Sequence, residues 1–181
     1  MKKLRFQRFF SAVMVVFLVL AIQQPMLVQA ENSESTNSYS EAPPLLITEL
    51  VPDTTDIGDA DGFEFIEVYN NTDKTLNFSD FRILYRYPSG PENDLTWIPH
   101  VRDLKIDSGE TLVLWMENSA NSEATVDDFN ANFGTNLIEN ENIVKMPGGM
   151  SNARLRDIII STNTGTEIAV ATYNHGTDDV E

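Results

Sequence analysis

The segment Leu112-Val-Leu-Trp-Met116 decides the fold class, because it is apolar on both faces of a β-strand. A second segment, Ile158-Ile-Ile160, has the same property. Side chains alternate between the two faces of a strand, so a strand that is apolar on both faces must be covered on both. Runs this short are typical of strands at the centre of a sandwich. Both segments are therefore predicted to be central strands of a β-sandwich.

Further short strands are predicted on either side of these two segments, each bounded by turn residues. They are Leu45–Val51, Phe63–Tyr69, a strand within Leu76–Tyr87, Asp94–Ile98, Val101–Ile106 and Glu167–Tyr173. The segment Ile158-Ile-Ile160 itself lies within the predicted strand Arg156–Ser161. Asp107-Ser-Gly-Glu110 is typical of a tight turn, and Asn163-Thr-Gly165 is typical of the turn that closes a hairpin. Many short strands separated by such turns indicate an all-β sandwich.

One short helix is predicted within the long connection that runs from Asn118 to Ala153. Thr125 is a good N-cap residue and Asp128 follows it three positions later, as in a capping box. Gly134 is a typical C-terminal stop. Three apolar residues in between share one face at helical spacing, and they are Val126, Phe129 and Phe133. We expect this helix of about two turns to close one end of the sandwich.

The start of the chain differs in composition from the rest. Four basic residues lead into an apolar run from Ala12 to Ile22, and Val28-Gln-Ala30 offers the small residues that a signal peptidase recognises. The apolar run is shorter than the about 20 residues that a membrane-spanning helix needs. The predicted organisation is a signal peptide at residues 1–30, a disordered polar linker at 31–44 and the folded domain at 45–181. The expected location is therefore extracellular or at the cell surface.

Charge and cysteine content exclude several classes of function. The chain has 28 acidic and 12 basic residues, and four of the basic ones lie in the predicted signal peptide, which leaves a formal charge of −20 on the remainder. Such a surface repels phosphate backbones and anionic membranes, so we expect neither direct nucleic-acid binding nor membrane binding after signal cleavage. The absence of cysteine excludes disulfides, a thiol nucleophile and a thiolate zinc site.

Taken together, five segments resemble the lamin-tail domain of the bacterial secreted type. They are Leu46-Ile-Thr-Glu-Leu50, Glu64-Phe-Ile-Glu-Val-Tyr-Asn70, Leu76-Asn-Phe-Ser-Asp-Phe-Arg-Ile-Leu84, Ile106-Asp-Ser-Gly-Glu-Thr-Leu112 and the hairpin Ile158–Tyr173. The resemblance implies an immunoglobulin-like β-sandwich. The connection from Asn118 to Ala153, which contains the predicted helix, departs from the family pattern because it is longer than the family's simple strand connection. Bacterial members often accompany an extracellular hydrolase, such as a metallophosphatase or a nuclease. The resemblance also implies one further strand after Tyr173, which leaves two interpretations open: a domain truncated at its C-terminus with an exposed strand edge, or the front of a longer protein.

Glu49 and Glu67 are the first candidate site. Glu49 shares one face of its predicted strand with Leu45 and Ile47, and Glu67 shares one face of its strand with Phe65 and Tyr69. If the two strands pair, the two carboxylates approach each other on a largely apolar face, as acid–base chemistry requires. Buried carboxylates are more often held in place for structural reasons. The favoured interpretation is therefore a buried, structural pair.

An acidic loop that ends at Gly62 is the second candidate site, and it contains Asp53, Asp56, Asp59 and Asp61. Calcium prefers oxygen ligands at such density. An EF-hand register that places Gly62 sixth would begin at Ile57, which cannot ligate a metal. A solvated loop without a metal is the favoured interpretation, and weak calcium binding is the alternative. The two histidines, His100 and His175, are too far apart in sequence for a zinc helix motif.

Trp97 is the third candidate, since Pro99 beside it indicates an edge strand where an aromatic ring could contact a partner. Trp115 lies in the doubly apolar segment and is predicted to be core. No combination of residues in the sequence indicates a catalytic site. The predicted function is a secreted, non-catalytic interaction or spacer module that binds an unknown protein or cell-envelope partner. The alternatives are an accessory domain of a larger metal-dependent phosphoesterase or nuclease, with its catalytic part beyond residue 181, and a calcium-stabilised surface-protein module.

Overall fold

The computed structural model of the chain describes residues 42–174. The strands are β1 Leu45–Val51, β2 Asp56–Ile57, β3 Ala60–Asp61, β4 Phe65–Asn70, β5 Leu76–Asn77, β6 Phe81–Arg86, β7 Leu95–Trp97, β8 Lys105–Ile106, β9 Thr111–Glu117, β10 Ile143–Pro147, β11 Arg156–Thr162 and β12 Glu167–Tyr173. One α-helix, α1 Val126–Phe133, and two 3-10 turns, Phe78–Asp80 and Pro91–Asn93, complete the elements. The predicted signal peptide, most of the predicted linker and His175 lie outside the described residues.

Two four-stranded sheets form the sandwich. The first sheet has the strand order β1-β4-β9-β10, in which β10 runs parallel to β9 and the other neighbours are antiparallel. The second sheet has the order β12-β11-β6-β7 and is antiparallel throughout. This architecture, with a single short helix, confirms the predicted all-β, immunoglobulin-like sandwich.

The main core lies between the two sheets. Leu112, Leu114 and Met116 of β9 point into it and are fully buried. Val113 and Trp115 point the other way, into a second cluster on the outer face of the first sheet. β9 is apolar on both faces because both faces are covered, as the sequence predicts.

Helix α1 begins and ends at the residues that the sequence predicts. The Thr125 hydroxyl accepts a hydrogen bond from the Asp128 backbone N–H at 3.3 Å, and the Asp128 carboxylate accepts one from the Thr125 N–H at 2.8 Å. Gly134 ends the helix in the left-handed conformation, with φ of 69°. Within residues 42–174 the structure contains no helix that is long and apolar enough to cross a membrane.

The expected position of α1 is wrong. The helix lies over the outer face of the first sheet rather than at one end of the sandwich. The Phe129 ring is 5.2 Å from the Trp115 ring and 5.7 Å from the Phe65 ring, between centroids. The physical reason is β10, a strand that the sequence analysis does not predict. A parallel neighbour of β9 requires a crossover connection, and a helix in a crossover packs on the face of its sheet.

Candidate functional site

The strand pairing predicted for Glu49 and Glu67 is present, but the predicted burial is wrong. The two residues are directly opposite each other in β1 and β4. Glu49 is exposed and Glu67 is half-buried. Glu67 shares its face with Phe65, outside the main core, and its Oε1 accepts a hydrogen bond from the Thr48 hydroxyl at 2.7 Å. A carboxylate pair that water reaches in this way is not the buried structural pair that the sequence predicts.

The acidic loop folds as a small hairpin, β2 and β3, in which Asp56 pairs with Asp61. Both carboxylate oxygens of Asp61 accept hydrogen bonds. Oδ1 accepts one from the Thr54 backbone N–H at 2.7 Å, and Oδ2 accepts one from the Asn152 side chain at 2.9 Å. Asp53, Asp56 and Asp59 are exposed. Across residues 42–174, no group of three or more His, Cys, Asp or Glu side chains is arranged to hold a metal ion.

Trp97 lies on an edge strand, but its ring is buried, so the expectation that it offers an exposed aromatic surface is wrong. The residue is 6% exposed and its indole stacks on Tyr85 with 4.5 Å between centroids. Gly148 covers the ring so closely that a Cβ there would lie 2.9 Å from the indole. Exposed apolar side chains occur nearby instead, at Leu95, Ile98 and Val101.

Glu64 is a buried carboxyl group that the sequence analysis misses. It is 3% exposed, and its Oε1 accepts a hydrogen bond from the Met150 backbone N–H at 2.9 Å. Burial raises the pKa of Glu64 to about 7; the Met150 hydrogen bond opposes this rise, and the negative charges of Asp61 and Asp53 add to it. The signal was present in the sequence, because Glu64 shares its parity with Ile66 and Val68, which form the core face of β4.

Glu64 belongs to a group of buried side chains that hold residues 148–151, which we call the connector. The connector lies on the path from β10 in the first sheet to β11 in the second. Its Ser151 N–H donates to the hydroxyl groups of Tyr173 at 3.0 Å and of Tyr85 at 3.2 Å. Burial raises the pKa of the Tyr173 hydroxyl above its ordinary value, and a hydrogen bond with Tyr85 adds to the rise. These polar groups satisfy backbone donors of the connector and fix the way in which the two sheets are joined.

His100 forms a side-chain hydrogen bond with Glu117 at the edge of the first sheet. Its Nε2 is 2.5 Å from a carboxylate oxygen of Glu117, and the Lys145 ammonium is 3.6 Å from the other oxygen. The Lys145 ammonium also lies over the Trp115 ring at 4.8 Å. His100 is mostly exposed while Lys145 is largely covered. The group can fix the edge of β10, and within residues 42–174 it does not form part of a metal-binding cluster of three or more His, Cys, Asp or Glu side chains.

The fold and these contacts define an immunoglobulin-like β-sandwich domain whose buried polar groups hold its two sheets together. The family model of the Lamin Tail Domain matches residues 38–175. The chain therefore belongs to the lamin-tail domain family, as the resemblance of its strand motifs indicates.

A much longer bacterial protein is similar to this chain. The uncharacterized protein YvnB of Bacillus subtilis (strain 168) is 51% identical over 134 residues, which cover 72% of this chain and 10% of that protein. The chain thus corresponds to about a tenth of the length of its relative. Neither comparison indicates a catalytic family for the matched residues.

Proposed function

We propose that this domain is an exported, non-catalytic interaction and spacer module that serves a longer extracellular or surface protein. The observation that carries the proposal is the unequal coverage of the match with the Bacillus relative. The similarity covers most of this chain's folded domain but only 10% of the relative. A unit of this kind is one part of a larger chain, and its rigid sandwich keeps neighbouring parts at a fixed distance. The basic and apolar start of the sequence supports export.

The contact surface that we favour is the segment from β7 to Val101. Three of its apolar side chains are exposed, Leu95 at 45%, Ile98 at 43% and Val101 at 37%. Trp97, stacked on Tyr85, anchors the same segment to the core, so the exposed side chains are presented on a rigid base. Loops and edges positioned by a rigid scaffold are common binding surfaces. The partner we propose is a protein or cell-envelope component, and the acidity of the domain favours one that carries positive charge.

The first experiment is the intact mass and N-terminal sequence of the protein released by its bacterial host. The proposal expects a product that begins at Glu31 in the culture medium or on the cell wall. A product that retains Met1 and stays inside the cell contradicts export. A mass well above that of residues 31–181 would show directly that the domain belongs to a longer chain.

The second experiment tests the contact surface. Fluorescently labelled protein that begins at Glu31 is titrated onto intact cells and purified envelopes of the host. Replacing both Leu95 and Ile98 by Ser is expected to weaken binding by about tenfold, a loss of about 1.4 kcal/mol. Ile138→Ser is the matched control, since Ile138 is 53% exposed and lies beside the N-terminus of α1 rather than in the β7 segment. Equal binding by all three proteins would exclude this segment as the contact surface.

One alternative is an accessory domain of a metal-dependent phosphoesterase or nuclease, and the length of the Bacillus relative supports only its premise that further parts accompany this domain. In this case the interaction module positions a catalytic part that lies outside these residues. The test is a phosphodiester hydrolysis assay on the intact native protein, with and without a chelator. Activity that the chelator removes supports the alternative, whereas an inactive long protein contradicts it.

A further inference from the structure

The sandwich has four edge strands, and three of them carry features that discourage pairing with another chain. Strand β1 has a bulge between Ile47 and Glu49 and an exposed charge at Glu49. Strand β7 has only three residues. Strand β10 contains Lys145, whose carbonyl oxygen already accepts a hydrogen bond from His100 at 3.1 Å. Short length, bulges, charges and covering segments are the usual means by which proteins protect sheet edges.

Strand β12 has none of these protective features along most of its length. It extends over seven residues, and from Ile168 to Tyr173 it contains no charged residue and no proline. Within residues 42–174 its hydrogen-bonded sheet neighbour is β11, while β1 of the facing sheet lies close to it without pairing as a strand. Val170 at its centre is 56% exposed, the largest exposure among the apolar side chains noted above. The irregularity in its pairing is confined to the Glu167 end. Such a strand leaves a row of backbone donors and acceptors available to another strand.

The sequence of β12 is complementary to itself. When two copies run antiparallel with Val170 opposite Val170, Ile168 lies opposite Thr172 and Ala169 lies opposite Ala171. The only charged residue, Glu167, then lies opposite Tyr173, so no like charges face each other. The second copy would also cover the exposed Val170 side chain.

We propose that β12 is a homotypic pairing surface, through which two copies of the chain join their second sheets into one eight-stranded sheet. The occupant is a second copy, because the register centred on Val170 brings small or apolar residues together along the strand without opposing charges. An interface of one strand pair is small, so the association is expected to be weak. The negative charge of each chain, formally −16 for the full sequence and −20 without residues 1–30, opposes it, so dimers should form more readily as salt screens the repulsion. This surface is separate from the β7 segment and does not depend on the function proposed above.

A cysteine at position 170 tests the register. The chain has no cysteine of its own, so any disulfide must involve the introduced residue. In the proposed pairing the two Cβ atoms at position 170 are about 5 Å apart, within reach of each other. Val170→Cys should form disulfide-linked dimers under mild oxidation at least about tenfold faster than Ile138→Cys, which has similar exposure. Equal rates for the two variants would overturn the proposed register.

Sedimentation velocity tests the association itself, on the full chain as its host exports it. The fraction of dimer should rise with protein concentration and with salt, and Val170→Lys should reduce it about tenfold or more. Ile138→Lys is the control for added charge, and circular dichroism confirms that both variants remain folded. A monomer at every salt and protein concentration, as expected if another segment covers β12, would overturn the proposal. An unchanged dimer in Val170→Lys would do so as well.

Discussion

The two sheets cover their outer faces in different ways. On the first sheet, α1 places Phe129 over Trp115 and Phe65. On the second sheet, within the described residues, no helix lies over the outer face, yet Ile159 on that face is fully buried. Leu84 lies opposite Ile159, and Arg86 on the same face of β6 bridges Asp94 and Glu167. An apolar outer face can thus be covered by an added element, as on the first sheet, or, as we infer for the second sheet, by side chains of its own strands.

The largest expected effect comes from removing the aromatic contact of the covered face. Phe129 is 2% exposed, so Phe129→Ala should lower the free energy of unfolding by about 3–5 kcal/mol. Leu84→Ala on the other outer face should cost about 1–2 kcal/mol, because that side chain is only partly buried. Urea denaturation of both variants measures the contrast. If the two losses are equal, the contact of α1 with the first sheet stabilises the protein no more than Leu84 does on the second sheet, and the contrast between the two outer faces is contradicted.

The next effect concerns the group that joins the two sheets. The folded-state pKa of Glu64, about 7, lies above its ordinary value of 4.5, so the folded state binds the proton more tightly. The contribution of Glu64 to the free energy of unfolding is therefore fully present below pH 4.5 and is lost as the pH rises through about 7. Glu64→Gln keeps an acceptor for the Met150 N–H without the charge. It should stabilise the protein by up to about 3 kcal/mol at pH 8, at about 1.4 kcal/mol per pKa unit.

Thermal melts of Glu64→Gln and the parent protein from pH 4 to pH 8 check this expectation. The two curves should converge at the acidic end and separate above neutrality. Glu67→Gln is the matched control, since Glu67 lies three residues further along the chain, in β4, and is only half-buried. A parent protein whose melting temperature does not fall relative to Glu64→Gln with rising pH would contradict the raised pKa.

Variants of Arg86 separate two contributions to the stability of the second sheet, the apolar stem of this side chain and its charge. Arg86→Ala removes both the side-chain stem and the charge, whereas Arg86→Met keeps most of the stem. Our hypothesis is that the Arg86 stem, on the same outer face as Leu84, covers part of Ile159; Arg86→Ala should then cost about 1–2 kcal/mol and Arg86→Met about half of that. Chemical denaturation at low and high salt measures both values. Equal losses, reduced by salt in both variants, would show that the ion pairs with Asp94 and Glu167 matter and the covering stem does not.

Local signals in the sequence predicted α1 and the β11–β12 hairpin well. Thr125, Asp128 and Gly134 define α1 through contacts within its own turns, so no distant residue is needed to predict its ends. The doubly apolar pattern of β9 correctly indicated two covered faces, although it did not identify the element that covers the outer one. Local patterns predict elements because the interactions that stabilise them are themselves local.

The candidate site was harder to predict because it depends on contacts between distant segments. Trp97 is buried because Gly148, 51 positions later, packs against its ring. Glu64 is buried because the connector, which begins 84 positions after it, closes over its carboxyl group. Strand β10 was missed because Lys145 and the following Pro147-Gly-Gly resemble a loop, and its partner β9 lies across the α1 crossover. Strand propensity depends strongly on such surroundings.

The smallest expected effect is that of calcium on the β2–β3 hairpin, which shares in covering the first sheet through Ile57. Asp61 already accepts hydrogen bonds from Thr54 and Asn152, and the other loop aspartates point their charges towards water. Millimolar calcium should therefore shift the melting temperature by less than about 1 °C, the effect of a ligand present below its dissociation constant. Magnesium at equal concentration controls for screening of the negative charge. A rise of several degrees with calcium alone, lost in a variant with Asp56 and Asp59 changed to Asn, would instead establish the calcium-stabilised module and make the covered face of the first sheet dependent on an ion.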